Sequence, residues 1–358
     1  MNKTMVIDAR CIFDSGIGVY IREMLLSLSK KNNISLEVLL SPEQIAPFSA
    51  LYISVGKIHS VSFSRFSWRN MFFLRNYIAD KKIFFMPALA IPPLNLKGQC
   101  IVTVHDVCPV KMRRFFGTTT ASLYWLILLF QIIISDRVFA ISKFTMKEMA
   151  TLYPSYLMKK VRVVYNGVSR RLNMRETQSD GINLRHRPYL LCVGNIKPHK
   201  NVINFVGFFS SKSKLSCEFD LVIVGQSEGF KTGESLNKNF PPSIVFTGFV
   251  SDEELAMLYA NAKAFIYPSL YEGFGLPLFE AMSFSLPIMA SNIDIFNELA
   301  GDAVFYFDPY TFEDFDLNFS VLLKYKRDEL PYDKILSSFS WDKSVDEFLK
   351  EIYQRDYY

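Results

Sequence analysis

Two stretches of the sequence each alternate short apolar runs with longer helical patterns, and one polar passage separates them. Such alternation demands parallel sheets flanked by helices, because each crossover returns the chain along the sheet through a helix. In the first stretch, strands are expected at 5–9, 36–40, 82–86, 101–104, 137–141 and 161–164, and helices at 19–28, 121–134 and 143–152. Proline and turn residues mark 41–47 and 87–98 as loops. From 169 to 188 the pattern lapses into S-R-R-L-N-M-R-E-T-Q-S-D-G-I-N-L-R-H-R-P, the obvious linker. Strands are then expected at 189–193, 220–224, 244–246, 264–267, 287–290 and 303–307. Ser251 and Glu254 form a capping box opening a helix that ends near Ala260. A final helical pattern from Trp341 to Gln354 places Val345, Phe348, Leu349 and Tyr353 on one face. The 358 residues suit two domains, divided as 1–170, a linker at 171–187, and 188–340, with 341–358 as a terminal helix. Substrates of such a pair are expected in a cleft between the two domains.

Charge is unevenly spread. Residues 1–180 carry 24 Lys/Arg against 11 Asp/Glu, net +13, and the remainder 16 against 24, net −8. Either the first half meets something anionic, or its cations form a scattered solvated surface. The five cysteines, Cys11, Cys100, Cys108, Cys192 and Cys217, are odd in number and lack metal-like spacing. They read as buried thiols in a reducing compartment. No signal peptide is expected, since the N-terminus runs directly into strand pattern. The apolar run 123–134 is too short to cross a bilayer core of ~30 Å, so it reads as a buried helix. The alternative is an interfacial helix, because Lys111, Arg113, Arg114, Phe115 and Phe116 precede it. Nothing in the sequence points to nucleic acid.

The chemistry concentrates in Y-E-G-F-G-L-P-L-F-E-A-M, residues 271–282. Pro277 suits the start of a helix, where its missing N–H costs nothing. The amides of Phe274, Gly275 and Leu276 would then face outward as an anion site. Glu272 and Glu280 stand on either side, able to accept hydroxyl hydrogen bonds. An anion flanked by polyol groups describes a nucleotide sugar. Both acids could instead merely complement a helix dipole. Upstream, Gly16 and Gly18 lie between the first strand and helix, where small residues let amides approach a diphosphate. Ile21 occupies the third position of a dinucleotide fingerprint, which argues against NAD. His105 and Asp106 fall at the carboxyl end of a strand, the edge that faces ligands in parallel sheets, although such a histidine could simply satisfy loop carbonyls. Lys200 sits at the start of a helix, where its ammonium adds to amides facing a phosphate, or it is a solvated surface lysine.

The block E-G-F-G-L-P-L-F-E, with T-G-F-V-S-D-E-E-L before it and Glu298, Gly301 and Asp302 after it, resembles the signature of retaining glycosyltransferases of family 4. That resemblance implies the GT-B fold, two Rossmann-like α/β domains facing across a cleft, whose last helix crosses back to the first domain. It implies that Gly16 and Gly18 close over the donor diphosphate, with Val19 in place of the common arginine. His105 would meet the donor sugar and catalytic cleft, and Asp106 would be structural. Lys200 would neutralise the departing diphosphate, and His199 and Asn195 stand where related sequences often hold arginine. Phe249 and Val250 would line the nucleobase pocket, or simply pack in the core. Glu280 would hold the ribose and Glu272 the hexose. Ser285 replaces a common glycine, a departure that touches turn geometry.

What the resemblance implies is transfer of a hexose with retention, by front-face attack, without metal or other cofactor. The I-D-A-R…G-I-G opening and the N-I-K-P-H-K-N turn look most like bacterial mannosyltransferases of surface polysaccharide assembly. The donor would then be GDP-mannose and the acceptor a lipid-linked oligosaccharide. The enzyme would be cytoplasmic, in peripheral contact with the anionic inner membrane. A sugar-nucleotide epimerase, a phosphorylase, or a non-catalytic sugar-nucleotide-binding protein are the competing readings.

Overall fold

A computed structural model describes residues 3–78, 82–168, 187–225 and 240–353. It divides into two compact units, Met1–Gly167 with Phe339–Tyr358, and Val168–Ser338. The passage expected as a linker lies outside the described residues, apart from Arg187.

The first unit is built on a seven-stranded, wholly parallel sheet. Its strands are β1 (Lys3–Asp8), β2 (Ile34–Leu40), β3 (Lys57–Ser60), β4 (Ile83–Met86), β5 (Gln99–Val104), β6 (Arg137–Ala140) and β7 (Val161–Val163). They lie in the order β3-β2-β1-β4-β5-β6-β7. Side chains alternate across the pleat. Met5, Ile7, Phe85, Ile101 and Phe139 therefore face the Ser15–Ser29 helix. Val6, Phe84, Met86, Val102 and Val138 face the other way, under the Thr118–Ile134 helix. The Trp341–Tyr353 helix buries Trp341, Val345, Phe348, Leu349 and Ile352 in the first of these two layers. Phe348 sits 4.8 Å from Phe85 and 4.9 Å from Phe139 between ring centroids.

The second unit carries a six-stranded parallel sheet in the order β10-β9-β8-β11-β12-β13. These are β8 (Tyr189–Val193), β9 (Asp220–Val224), β10 (Ile244–Gly248), β11 (Ala264–Tyr267), β12 (Ile288–Ser291) and β13 (Phe305–Phe307). The capping box is formed: Ser251 accepts from the Glu254 amide, and Glu254 accepts from the Ser251 amide at 2.7 Å. Phenylalanines 205, 307 and 315 pack as an aromatic cluster over this sheet. Each buried ring of that size stabilises by roughly 1.5–3 kcal/mol.

Several expectations need correction. Residues 41–47 are not a loop. Ser41 and Gln44 cap a 3₁₀ turn, Pro42–Gln44, which runs into the helix Ile45–Ser49. Pro42 and Pro47 each stand early in their element, where proline is tolerated. The short edge strand β3 went unforeseen. The first helix begins at Ser15, so Gly16 and Gly18 lie in its opening turn and not in a loop before it. The run 123–134 is not fully buried: Leu128, Gln131 and Ile132 face the core, but Leu123, Leu126 and Ile133 are exposed. No described helix is long and apolar enough to cross a membrane. Four cysteines are buried, but Cys217 is exposed, and all five are free thiols.

Candidate functional site

Strand order decides where each sheet opens. In the second unit the order reverses at β8, with β9 and β10 to one side and β11 to the other. Chains leaving the carboxyl ends of β8 and β11 diverge over opposite faces and leave a crevice, the usual ligand position in open parallel sheets. Residues 194–200 follow β8, and 268–276 follow β11. Lys200 and Glu272, far apart in sequence, are thereby brought together. The Lys200 Nζ donates to both carboxylate oxygens of Glu272, at 2.6 and 2.8 Å. The Ser269 hydroxyl donates to Glu272 Oε1 at 2.7 Å, and the His199 carbonyl accepts from the Leu270 amide, tying the two loops. Burial works to raise the Glu272 pKa, but the Lys200 charge and the Lys200 and Ser269 hydrogen bonds outweigh it and hold the carboxyl below its usual range. Burial, then the neighbouring Lys200 charge, push the His199 imidazole down to about 4.

Just beyond Glu272 the backbone turns sharply. Gly275 has φ +96° and caps the Leu276–Ser283 helix, with Pro277 in the first turn. A Cβ there would press on the rings of Phe296 at 3.0 Å and Tyr267 at 3.4 Å, so both conformation and space call for glycine. Among the described residues, the amides of Gly275 and Leu276 have no backbone acceptor. Phe274 is buried and stacks on Phe279. Glu280 lies further along this helix, half-buried, and accepts from the Tyr259 hydroxyl at 3.0 Å. Asn195 is half-buried after β8. Val250 is half-buried, and Phe249 is 80% exposed, which removes core packing as its role.

Two side chains at this site went unnoticed in the sequence, Ser269 and Tyr267. Tyr267 ends β11, and its position at the carboxyl end of a strand was the available signal. The residue is 2% exposed, yet its hydroxyl has no well-aligned hydrogen bond among the described residues. The Lys200 ammonium lies 5.9 Å from its ring centre. Burial first, then the Glu272 charge and a loosely aligned hydrogen bond to the Glu272 carboxylate, raise its pKa well above the ordinary phenol value.

The first unit has its own crevice where the order reverses between β1 and β4. His105 follows β5, and its Nε2 lies 2.7 Å from the Pro87 carbonyl, just beyond β4. A carbonyl only accepts, so this bond fixes the proton on Nε2 and leaves Nδ1 an acceptor. Tyr20 meets the imidazole edge-on at 4.8 Å. Burial pushes His105 down to about 4, against the pull of the Pro87 bond, so the ring is neutral at physiological pH. Asp106 accepts from the Cys108 amide at 2.8 Å, a local turn contact just before the Cys108–Lys111 helix. In the Ser15–Ser29 helix, Gly16 is exposed with open space around it. A Cβ on Gly18 would lie 2.5 Å from the Ile12 carbonyl oxygen. No group of three or more potential metal ligands occurs among the described residues.

Comparison with known proteins extends this geometry. Residues 174–331 match the profile of the family Glycosyl transferases group 1. The O-antigen chain mannosyltransferase RfbU of Salmonella typhimurium is 29% identical over 218 residues, 60% of this chain and 58% of that protein. The serotype-specific mannosyltransferase WbdA of Escherichia coli is 26% identical over 239 residues, 63% of this chain and 29% of that protein. In both cases the matched stretch spans less than two thirds of the relative. Among solved structures, sucrose-phosphate synthase from Thermosynechococcus elongatus superposes with TM-score 0.72 at 15% identity, covering 99% of both chains. Anabaena Alr3699/HepE, solved with UDP and glucose, gives 0.69 at 12% identity, covering 99% of this chain and 100% of that one. The fold is therefore the expected GT-B class of two Rossmann-like parallel-sheet domains, and residues 174–331 are similar to the glycosyl transferases group 1 profile.

Proposed function

We propose that this chain is a retaining, metal-independent glycosyltransferase that moves mannose from GDP-mannose to a hydroxyl of a lipid-linked oligosaccharide in surface-polysaccharide synthesis. The observation that carries the proposal is the Lys200–Glu272–Ser269 cluster beside the Gly275 helix start, at the strand-order reversal of the second sheet. The names of the O-antigen relatives support the mannosyl donor and the glycan acceptor.

In this reading the diphosphate of the donor is held by the Gly275 and Leu276 amides and the Lys200 ammonium. Positive groups fixed in place before reaction stabilise charge as it develops, without reorganisation in the transition state. The sugar C1–O bond to the diphosphate breaks, the C1–O bond to the acceptor forms on the same face, and the acceptor proton passes to the departing phosphate oxygen. Glu272 accepts from hexose hydroxyls; its charge, kept by Lys200, makes those bonds stronger than neutral ones. Glu280, steadied by Tyr259, takes the ribose. The Tyr267 hydroxyl supplies one further polar contact to the bound donor. Asn195, Phe249 and Val250 are assigned to donor binding on the resemblance alone, as are Gly16, Gly18 and His105 in the first unit. The acceptor sits at the inner face of the cytoplasmic membrane, and the enzyme is cytoplasmic and peripheral.

The test is a panel of sugar nucleotides incubated with purified protein, following donor hydrolysis and binding by calorimetry. GDP-mannose is expected to bind most tightly, and Glu272→Gln and Lys200→Met each to abolish detectable turnover. Equal, weak binding of every sugar nucleotide, unchanged by either substitution, would remove the proposal. A glycosyl-enzyme adduct caught by mass spectrometry would remove the front-face route.

A further inference from the structure

The segment joining β3 to β4 presents large apolar rings to solvent. Phe66, Trp68, Phe72 and Phe73 are 45%, 61%, 49% and 45% exposed, and Trp68 lies 6.2 and 6.5 Å from Phe72 and Phe73. These rings are held outward by a built network. Asn70 is fully buried, donates to the carbonyls of Ser64, Arg65 and Ser67, and accepts from the Arg10 guanidinium at 2.9 Å. Arg10 in turn pairs with Asp8 at the end of β1 and donates to the Phe63 carbonyl. Leu74 and Ile78 anchor the segment in the core beneath. Solvent-exposed Arg69 and Arg75 flank the rings, and from Gln44 to Ala79 the sequence contains no aspartate or glutamate.

We infer that the 66–75 segment is a docking surface for an anionic lipid bilayer, the rings entering the headgroup boundary and Arg69 and Arg75 meeting lipid phosphates. Aromatic side chains, tryptophan above all, favour that boundary. Guanidinium groups bind phosphate through paired donors, and an anionic leaflet rewards each cation near it. A glycan would use the rings but leave the cations without purpose; a lipid surface uses both. The Thr118–Ile134 helix covers the same face of the sheet, and its Leu123 and Leu126 are exposed. This deepens the peripheral-membrane reading above, and its assay needs no sugar donor.

The test is flotation of the full chain with vesicles of phosphatidylcholine alone or with added phosphatidylglycerol, at low and high salt. The wild-type protein is expected on the anionic vesicles, less so as salt rises. W68S/F72S is expected to lower binding about tenfold or more, from the loss of two buried rings. R69E/R75E is expected to lower it similarly at low salt. All four positions are exposed, so melting temperatures should match wild type, and F73S with R75Q provides a milder pair if either does not fold. L123S/L126S serves as comparator. If wild type binds and the ring and arginine variants bind equally well, the assignment is wrong, although peripheral binding stands. If wild type binds neither vesicle, both fail.

Discussion

The hydroxyl of Tyr267 offers a substitution whose two effects run in opposite directions. A hydroxyl buried without a well-aligned partner costs the folded state about 1–3 kcal/mol of lost hydration. Tyr267→Phe removes that cost and keeps the ring against Phe296, 4.7 Å away between centroids. Some relaxation toward Glu272 offsets part of the gain, so stability should be unchanged or higher by about 1 kcal/mol, which in a domain of this size is about 2–4 °C in Tm. The proposed contact to the donor is lost at the same time. A hydrogen bond to a neutral group contributes about 0.5–1.5 kcal/mol and one to a charged group about 1.5–3. Donor kcat/KM should accordingly fall by between about 2-fold and 150-fold, the upper range implying a phosphate partner. The assay pairs a thermal melt with steady-state donor kinetics on the same preparation. A variant destabilised by more than about 1 kcal/mol would show the hydroxyl to be structural. Unchanged kcat/KM would show that it never meets the donor. Either result refutes the reasoning.

Further outcomes follow from the same geometry. Ser285 sits at φ +49° after the Leu276–Ser283 helix, a conformation costing a side-chain-bearing residue about 1–2 kcal/mol. Ser285→Gly should raise stability by about 0.5–1 kcal/mol in denaturant titration, less than the strain because glycine also loosens the unfolded chain. Gly18→Ala should destabilise by about 1–3 kcal/mol, because the new methyl meets the Ile12 carbonyl. Gly16→Ala, in open space within a helix, should hold or gain stability while weakening donor binding; unaltered binding would detach Gly16 from the donor. His105 and His199, at about 4 in the fold against an ordinary 6.5, leave the unfolded chain binding more protons through that window. Stability should therefore fall as pH drops from 6.5 toward 4. The lowered Glu272 pKa adds a further loss below 4.5. A flat unfolding midpoint between pH 7 and 5 would contradict the two histidine shifts.

Most strands of both sheets were legible because each is an apolar run, buried on both faces in the middle of each sheet and only partly buried at β7, β10 and β13. The exception, β3, reads K-I-H-S, with Lys57 and Ser60 exposed at the sheet edge, and carries too little apolar character to be seen. The helix start at Ser15 was hidden by two glycines, poor helix formers by propensity, although one of them is required there by the Ile12 carbonyl. At the site, motif spacing located Lys200, Glu272 and Glu280 individually. It could not show that Lys200 grips both oxygens of Glu272, because that contact spans 72 positions and depends on strand order. Tyr267 was missed for a related reason: an aromatic ending an apolar strand looks like core until its hydroxyl is found without a well-aligned partner.

The Trp341–Tyr353 helix packs beside the Ser15–Ser29 helix on one face of the first sheet, so one hydrophobic core draws on residues that flank the whole second unit. During synthesis Val345 and Phe348 emerge only after every residue of the intervening unit, Val168–Ser338. The intervening unit has every strand it needs earlier and would mature first. The amino-terminal half would meanwhile wait with greasy surface uncovered, open to aggregation until residues 341–353 arrive to cover it.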